Sequence, residues 1–122
     1  MIRLDAVGYL TKKRGTKCFF NKPEIWDYLT FMSECGADNR LQLLAEVHEH
    51  NTLRKELANQ GFWVYDFCLP MLVLCALHRN DCRPLRTWLS HCPFRQFTVL
   101  DTHDGVGVPD VQDVMTQEEV RV

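Results

Sequence analysis

Four short apolar runs punctuate the chain, and helical patterns fill the stretches between them. Ile2–Val7 is partly β-branched and stops at Gly8, Leu41–Val47 is apolar except for Gln42 and Glu46, and Trp63–Phe67 and Phe97–Leu100 repeat the theme. Unbroken apolar runs of this length suit strands buried on both faces, the kind found in parallel sheets. Between them, Pro23–Cys35 places Ile25, Trp26, Leu29, Phe31 and Met32 at helical spacing, with Pro23 at a first turn and Gly36 as a stop. Thr52–Asn59 closes at Gly61, Leu69–Leu77 opens with Pro70, and Pro84–Ser90 forms a further short helix. Strand and helix alternate four times, so parallel βαβ units are expected, either as a small open sheet or as part of an eight-stranded barrel. Residues 106–122 are polar with little period and read as a loop.

The composition excludes several function classes. Hydrophobic residues make up 46% and charged residues 25% of the 122, which suits one modest globular domain. The formal net charge is -2, and the one basic cluster, Lys12-Lys13-Arg14, is too short for a nucleic-acid footprint. The longest apolar stretch, Phe67–Leu77, is too short to span a bilayer, and no basic region precedes an apolar run at the N-terminus. The six cysteines contain no C-x-x-C pair, and several lie within apolar runs, so reduced thiols in a cytoplasmic protein are expected. His48, Glu49 and His50 offer no third ligand at a metal-binding spacing, so no metal is expected.

The chemistry concentrates at the strand ends. Asp5, Glu46 and Asp104 each lie at the C-terminal end of a strand candidate, on three different strands, which in a (β/α) barrel is the catalytic face. A charge inside an apolar run is costly unless paired or used. Converging carboxylates suit retaining glycosidic chemistry, in which the acid needs a raised pKa. Position alone leaves solvated or capping carboxylates as the other reading. Asp66 and Asp101 read as structural, as do Trp26, Trp63 and Trp88.

Ile2-Arg3-Leu4-Asp5-Ala6-Val7-Gly8-Tyr9 is similar to the fourth-strand motif of the α-amylase superfamily in its sucrose phosphorylase form. Leu44-Ala45-Glu46-Val47-His48 resembles the fifth-strand motif, and Leu100-Asp101-Thr102-His103-Asp104-Gly105 the seventh. Trp63–Phe67 and Leu69–Leu72 look like the sixth strand and its helix. The likeness to the sucrose phosphorylase family runs nearly end to end and leans toward the sucrose 6'-phosphate branch. It implies a partial (β/α)8 TIM barrel covering roughly strands four to seven, with 1–122 a single partial catalytic segment and 106–122 leading toward a missing C-terminal part.

The resemblance also implies roles. Asp5 would be the nucleophile, oriented by Arg3; Glu46 the general acid and then base; Asp104 the transition-state stabiliser, with His103 beside it. Tyr9 and His48 match positions that accommodate phosphate or the acceptor sugar. Glucosyl would pass from sucrose or sucrose 6'-phosphate to inorganic phosphate, giving α-glucose 1-phosphate through a covalent glucosyl-Asp intermediate. No metal or organic cofactor and no nucleic acid or membrane partner is implied, while a separate chain could supply the missing barrel half. The alternatives are an α-glucosidase or transglucosylase of the same superfamily, and a truncated remnant without activity.

Overall fold

The computed structural model of the protein describes residues 1–120. Its frame is a four-stranded, all-parallel sheet in the order β1-β2-β3-β4. These strands are Ile2–Leu4, Leu43–Ala45, Trp63–Asp66 and Gln96–Thr98. All four expected strands exist; the first three are shorter than expected, and β4 begins one residue earlier and ends two earlier than Phe97–Leu100. Sequential order with parallel pairing means that every connection crosses back over the sheet, and helices supply the crossovers. They are α1 (Glu24–Asp38), α2 (Asn51–Asn59), and the pair α3 (Leu69–Arg79) and α4 (Arg83–His91).

Strand periodicity sorts the residues between two faces. Pairing Arg3 with Leu44, Leu44 with Trp63, and Tyr65 with Phe97 puts these residues on one face, together with Asp5 and Glu46 just past their strands. The opposite face carries Leu4, Leu43, Ala45 and Val64, which pack with Ile25 and Leu29 of α1, Leu57 of α2, and Phe62. Burying Ile25, Leu29 and Leu57 completely contributes roughly 1.5–3 kcal/mol each. Gly36 allows α1 to approach β2: a Cβ there would stand 3.3 Å from the Leu43 side chain and 3.4 Å from the Leu41 carbonyl oxygen.

A second core joins α3 and α4 to the C-terminal stretch, through Cys68, Leu72, Cys75, Trp88, Val111 and Met115. Asp66, at the end of β3, is 1% exposed and fully engaged. It accepts from the Trp88 indole at 3.0 Å, from Gln96 Nε2 at 3.1 Å, and from the backbone N–H groups of Cys68 and Leu69 at 3.2 and 3.1 Å. Those last two bonds satisfy orphan donors at the start of α3.

Of the stretch 106–122 expected as a loop, residues 121 and 122 lie outside the described residues, and 106–120 hold more structure than a loop. A 3-10 turn covers Val108–Val111 and a short helix, α5, covers Gln117–Val120. Thr116 and Glu119 cap that helix reciprocally, with Glu119 accepting from the Thr116 N–H at 2.7 Å. Asp113 accepts from the Asn51 and Thr52 N–H groups at 3.1 Å each, so a residue far along the chain caps α2. Val111 and Met115 supply the apolar side of this docking. The period was hidden because the anchoring residues are spaced for two 3-10 and helical turns rather than for one helix.

All six cysteines are free thiols. No helix among the described residues is long and apolar enough to cross a membrane.

Candidate functional site

Asp5 and Glu46 each follow the last residue of a strand, and Arg3 of β1 joins them. One guanidinium nitrogen lies 2.8 Å from Asp5 Oδ1, and the other donates to Glu46 Oε1 at 2.5 Å. The planar fork of arginine suits two carboxylates on neighbouring parallel strands, since its donors diverge in one plane. Ala6 completes the turn after β1 in the left-handed region, at φ 43, and so directs its N–H to Glu46 Oε2 at 3.3 Å. A non-glycine residue in that region stores strain, here beside the charged pair.

These contacts set the ionisation of Glu46. Burial pushes its carboxyl up, but the Arg3 hydrogen bond, the Ala6 N–H and the Arg3 charge outweigh burial and hold it below the ordinary 4.5. This differs from the raised pKa expected of a general acid. The cause is the shared guanidinium: Arg3 serves Glu46 as well as Asp5. Arg3 is itself raised, first by its bond to Glu46.

A cleft of about 220 Å³ opens beside this pair, lined by Ala6, Tyr9, Phe19, Glu46, Val47, His48 and Asp104. Ligand pockets run to roughly 300–1,000 Å³, so these residues form one wall of such a pocket. The cleft gathers Glu46, Asp104, His48 and Tyr9 among the residues singled out from sequence. Asp5 is not among the lining residues; its side chain is 75% exposed and held by Arg3. His103 is exposed outside it, its Nε2 3.4 Å from Asp104 Oδ2. Asp104 itself lies six residues past β4, on a loop and not on the strand end, because β4 stops at Thr98. Thr102 holds that loop by accepting the Asp104 N–H at 3.2 Å and donating to the Gly105 carbonyl at 3.2 Å. Asp101 accepts the Thr102 N–H at 2.8 Å, a supporting bond.

Tyr9 meets Phe19 edge-on at 4.8 Å, and Gly8 makes room beneath them: a Cβ there would be 2.4 Å from the Phe19 ring. His48 stacks on Phe67 at 3.9 Å and 17° between planes, and Phe67 in turn stacks on Tyr65. The Nδ1 of His48 is 3.3 Å from Asp110 Oδ2, and its Nε2 is 3.8 Å from Asp104 Oδ2. One ligand atom each from Glu46, His48 and Asp104 lie within 4.8 Å of one another, close enough to hold a cation. Arg3 already brings a positive charge to Glu46, which opposes that use. His50 turns instead to Glu49, 3.5 Å away.

Behind His48 lies a buried group that the sequence reading passed over. Arg54 of α2 is 2% exposed and Asp110 2%. Arg54 donates to Asp110 Oδ1 at 2.8 Å, to the Asp110 carbonyl at 2.8 Å, to the Glu49 carbonyl at 2.9 Å, and to Cys68 Sγ at 2.8 Å. Burial first of all, against the opposing Arg54 charge, pushes the Cys68 thiol up to about 12. A charged residue between the apolar Val108 and Val111 was the available signal for Asp110; nothing in the spacing linked it to Arg54.

No model of a known protein family matches the chain. It is 45% identical over 120 residues to a sucrose phosphorylase of Streptococcus mutans, covering 98% of this chain and 25% of the relative. A glucosylglycerol phosphorylase of Marinobacter adhaerens is 38% identical over 122 residues, and a sucrose 6(F)-phosphate phosphorylase of Thermoanaerobacterium thermosaccharolyticum 41% over 122; the chain covers 25% of each. The crystal structure of sucrose 6F-phosphate phosphorylase from Thermoanaerobacter thermosaccharolyticum superposes with a TM-score of 0.91 at 41% identity, covering 97% of this chain and 24% of that one. The chain thus spans about a quarter of the length of the relatives it matches. The sheet and its helices are a partial TIM barrel.

Proposed function

Because the chain belongs to the sucrose phosphorylase family, we propose that it contributes the catalytic carboxylates of a retaining glycoside phosphorylase. The observation that carries this reading is the Arg3 fork, which joins Asp5 and Glu46 at 2.8 and 2.5 Å beside a cleft that also holds Asp104. Retaining chemistry needs a nucleophile and an acid on neighbouring positions, flanking one glycosidic bond.

In the first step a carboxylate oxygen of Asp5 attacks the anomeric carbon of a glucosyl donor. The bond to the departing oxygen breaks, and Glu46 gives that oxygen its proton. In the second step an oxygen of inorganic phosphate attacks the same carbon, the bond to Asp5 breaks, and Glu46 takes up the proton. The product is α-glucose 1-phosphate, with net retention. Asp104, with His103 beside it, binds sugar hydroxyls as positive charge develops on the ring. Tyr9 and His48 shape the space for the leaving group and for phosphate. Arg3, 2.8 Å from Asp5, orients the nucleophile. Relatives named for sucrose, sucrose 6(F)-phosphate and glucosylglycerol fall between 36 and 45% identity, so the glucosyl half of the donor is the shared element. Sucrose and its 6'-phosphate are the donors proposed here. Activity belongs to the barrel in which the other three quarters of the relatives' length are supplied, in the same polypeptide or by another.

Product analysis tests this. Glucose 1-phosphate formed only when phosphate is present supports phosphorolysis. Free glucose formed without phosphate replaces it with the α-glucosidase reading. Asp5→Ala should abolish turnover, and unchanged turnover removes Asp5 as nucleophile.

A further inference from the structure

His48 reaches the cleft from a backbone position just past β2, and an imidazole there can serve either as donor or as acceptor. Which it does depends on where its single proton sits when neutral. Two carboxylates face the ring, Asp110 at Nδ1 (3.3 Å) and Asp104 at Nε2 (3.8 Å), while Phe67 covers one flat side at 3.9 Å. The shorter approach belongs to the buried partner. Asp110 cannot swing away, because Arg54 grips both its Oδ1 and its backbone carbonyl at 2.8 Å. Cys68 adds an S–H bond to the same carbonyl at 3.0 Å. The His48 Nε2 is shielded from solvent yet has no hydrogen-bond partner. A shielded nitrogen without a partner, on the wall of a cleft, is a position left for a ligand atom.

We propose that Asp110, locked by Arg54, is a positioning residue that holds neutral His48 as the Nδ1–H tautomer and keeps Nε2 as a bare acceptor on the cleft wall, beside Asp104. A carboxylate paired to arginine offers only lone pairs, so the proton between Asp110 and His48 must sit on Nδ1. Nε2 then accepts from a hydroxyl of a bound sugar or from a protonated phosphate oxygen. Phe67 fixes the ring plane, and Asp110 fixes the rotation within it. The group spans α2, the end of β2 and the 3-10 turn at Val108–Val111, so this turn acts on a site it does not line. The assignment to sugar and phosphate rests on the function proposed above; the tautomer does not.

The test is nitrogen-15 NMR of the imidazole rings in the 122-residue chain, with His48 assigned by His48→Gln. Wild type is expected to show the Nδ1–H pattern, and a dominant Nε2–H pattern overturns the proposal, whatever any variant does. In Asp110→Asn, Arg54 keeps the side-chain oxygen, so the amide NH2 turns to Nδ1 and the proton moves to Nε2. A folded Asp110→Asn chain that keeps Nδ1–H also overturns it. In the active enzyme the inverted tautomer should raise KM for donor or phosphate about tenfold, the worth of one hydrogen bond. Unchanged KM and kcat beside an inverted tautomer would remove the positioning role, whereas an active Asp5→Ala enzyme would remove the functional reading and leave the tautomer to the spectrum.

Discussion

Replacing Arg54 by methionine keeps the length of the side chain and removes its charge and donors. In the folded protein this leaves the Asp110 carboxylate, 2% exposed, without its cation. The Asp110 and Glu49 carbonyls and Cys68 Sγ also lose the guanidinium bonds made at 2.8, 2.9 and 2.8 Å. Breaking a buried ion pair from one side costs about 3–5 kcal/mol, because the remaining charge has no water to turn to. With a urea dependence of about 1–3 kcal/mol per molar, the unfolding midpoint should fall by roughly 2 M. The double variant Arg54→Met/Asp110→Leu removes both charges and should recover most of that loss, since replacing a whole buried pair is often neutral. Urea unfolding followed by circular dichroism reads both values. A cost below about 1 kcal/mol for Arg54→Met, or a double variant costing the sum of the single ones, would refute the picture of a buried, mutually dependent pair.

Other perturbations reach different parts of the molecule. Ala6→Gly should stabilise the chain by about 0.5–1 kcal/mol, because glycine accepts the left-handed turn without a Cβ clash; a lower melting temperature contradicts this. Glu46 is held below 4.5, so its contribution is complete above the ordinary carboxylate range and lost as pH falls through the lowered value. Arg3→Met leaves burial unopposed by that cation and should move Glu46 upward in a carbon-13 carboxyl titration; no upward movement counts against the fork. Asp81 is held at about 2 by the side-chain and backbone hydrogen bonds of Arg83, so its contribution, present above 3.8, fades as pH falls toward about 2. In Arg83→Ala its titration should return toward 3.8. Alkylation at pH 8 should modify exposed Cys35 and Cys82 while sparing Cys68, whose thiol titrates near 12; early labelling of Cys68 would contradict its burial.

The pattern of apolar runs and helical spacings was sufficient to set four parallel strands, their crossover helices and the strand ends at which Asp5 and Glu46 emerge. Those features depend on local periodicity and on the alternation of side chains along a strand, which a linear reading can follow. The helices α1 to α4 were legible for the same reason, to within a few residues at their ends. The motifs around Asp5, Glu46 and Asp104 were legible because each is a short contiguous string.

Tertiary structure decided the rest. Arg3 is two residues from Asp5 in sequence, but only strand pairing reveals that it also grips Glu46, 43 positions on, and so lowers the carboxyl expected to be raised. Asp104 reaches the cleft by a loop beyond β4, a path set by where the ladder ends. The docking of Asp113 onto α2 and the Arg54–Asp110–His48 group join residues separated by 56 to 62 positions. Such contacts leave no periodic trace, since each partner is a single polar residue in an unrelated segment. Their strength comes from exclusion of water, and which residues lose water is a property of the packed molecule.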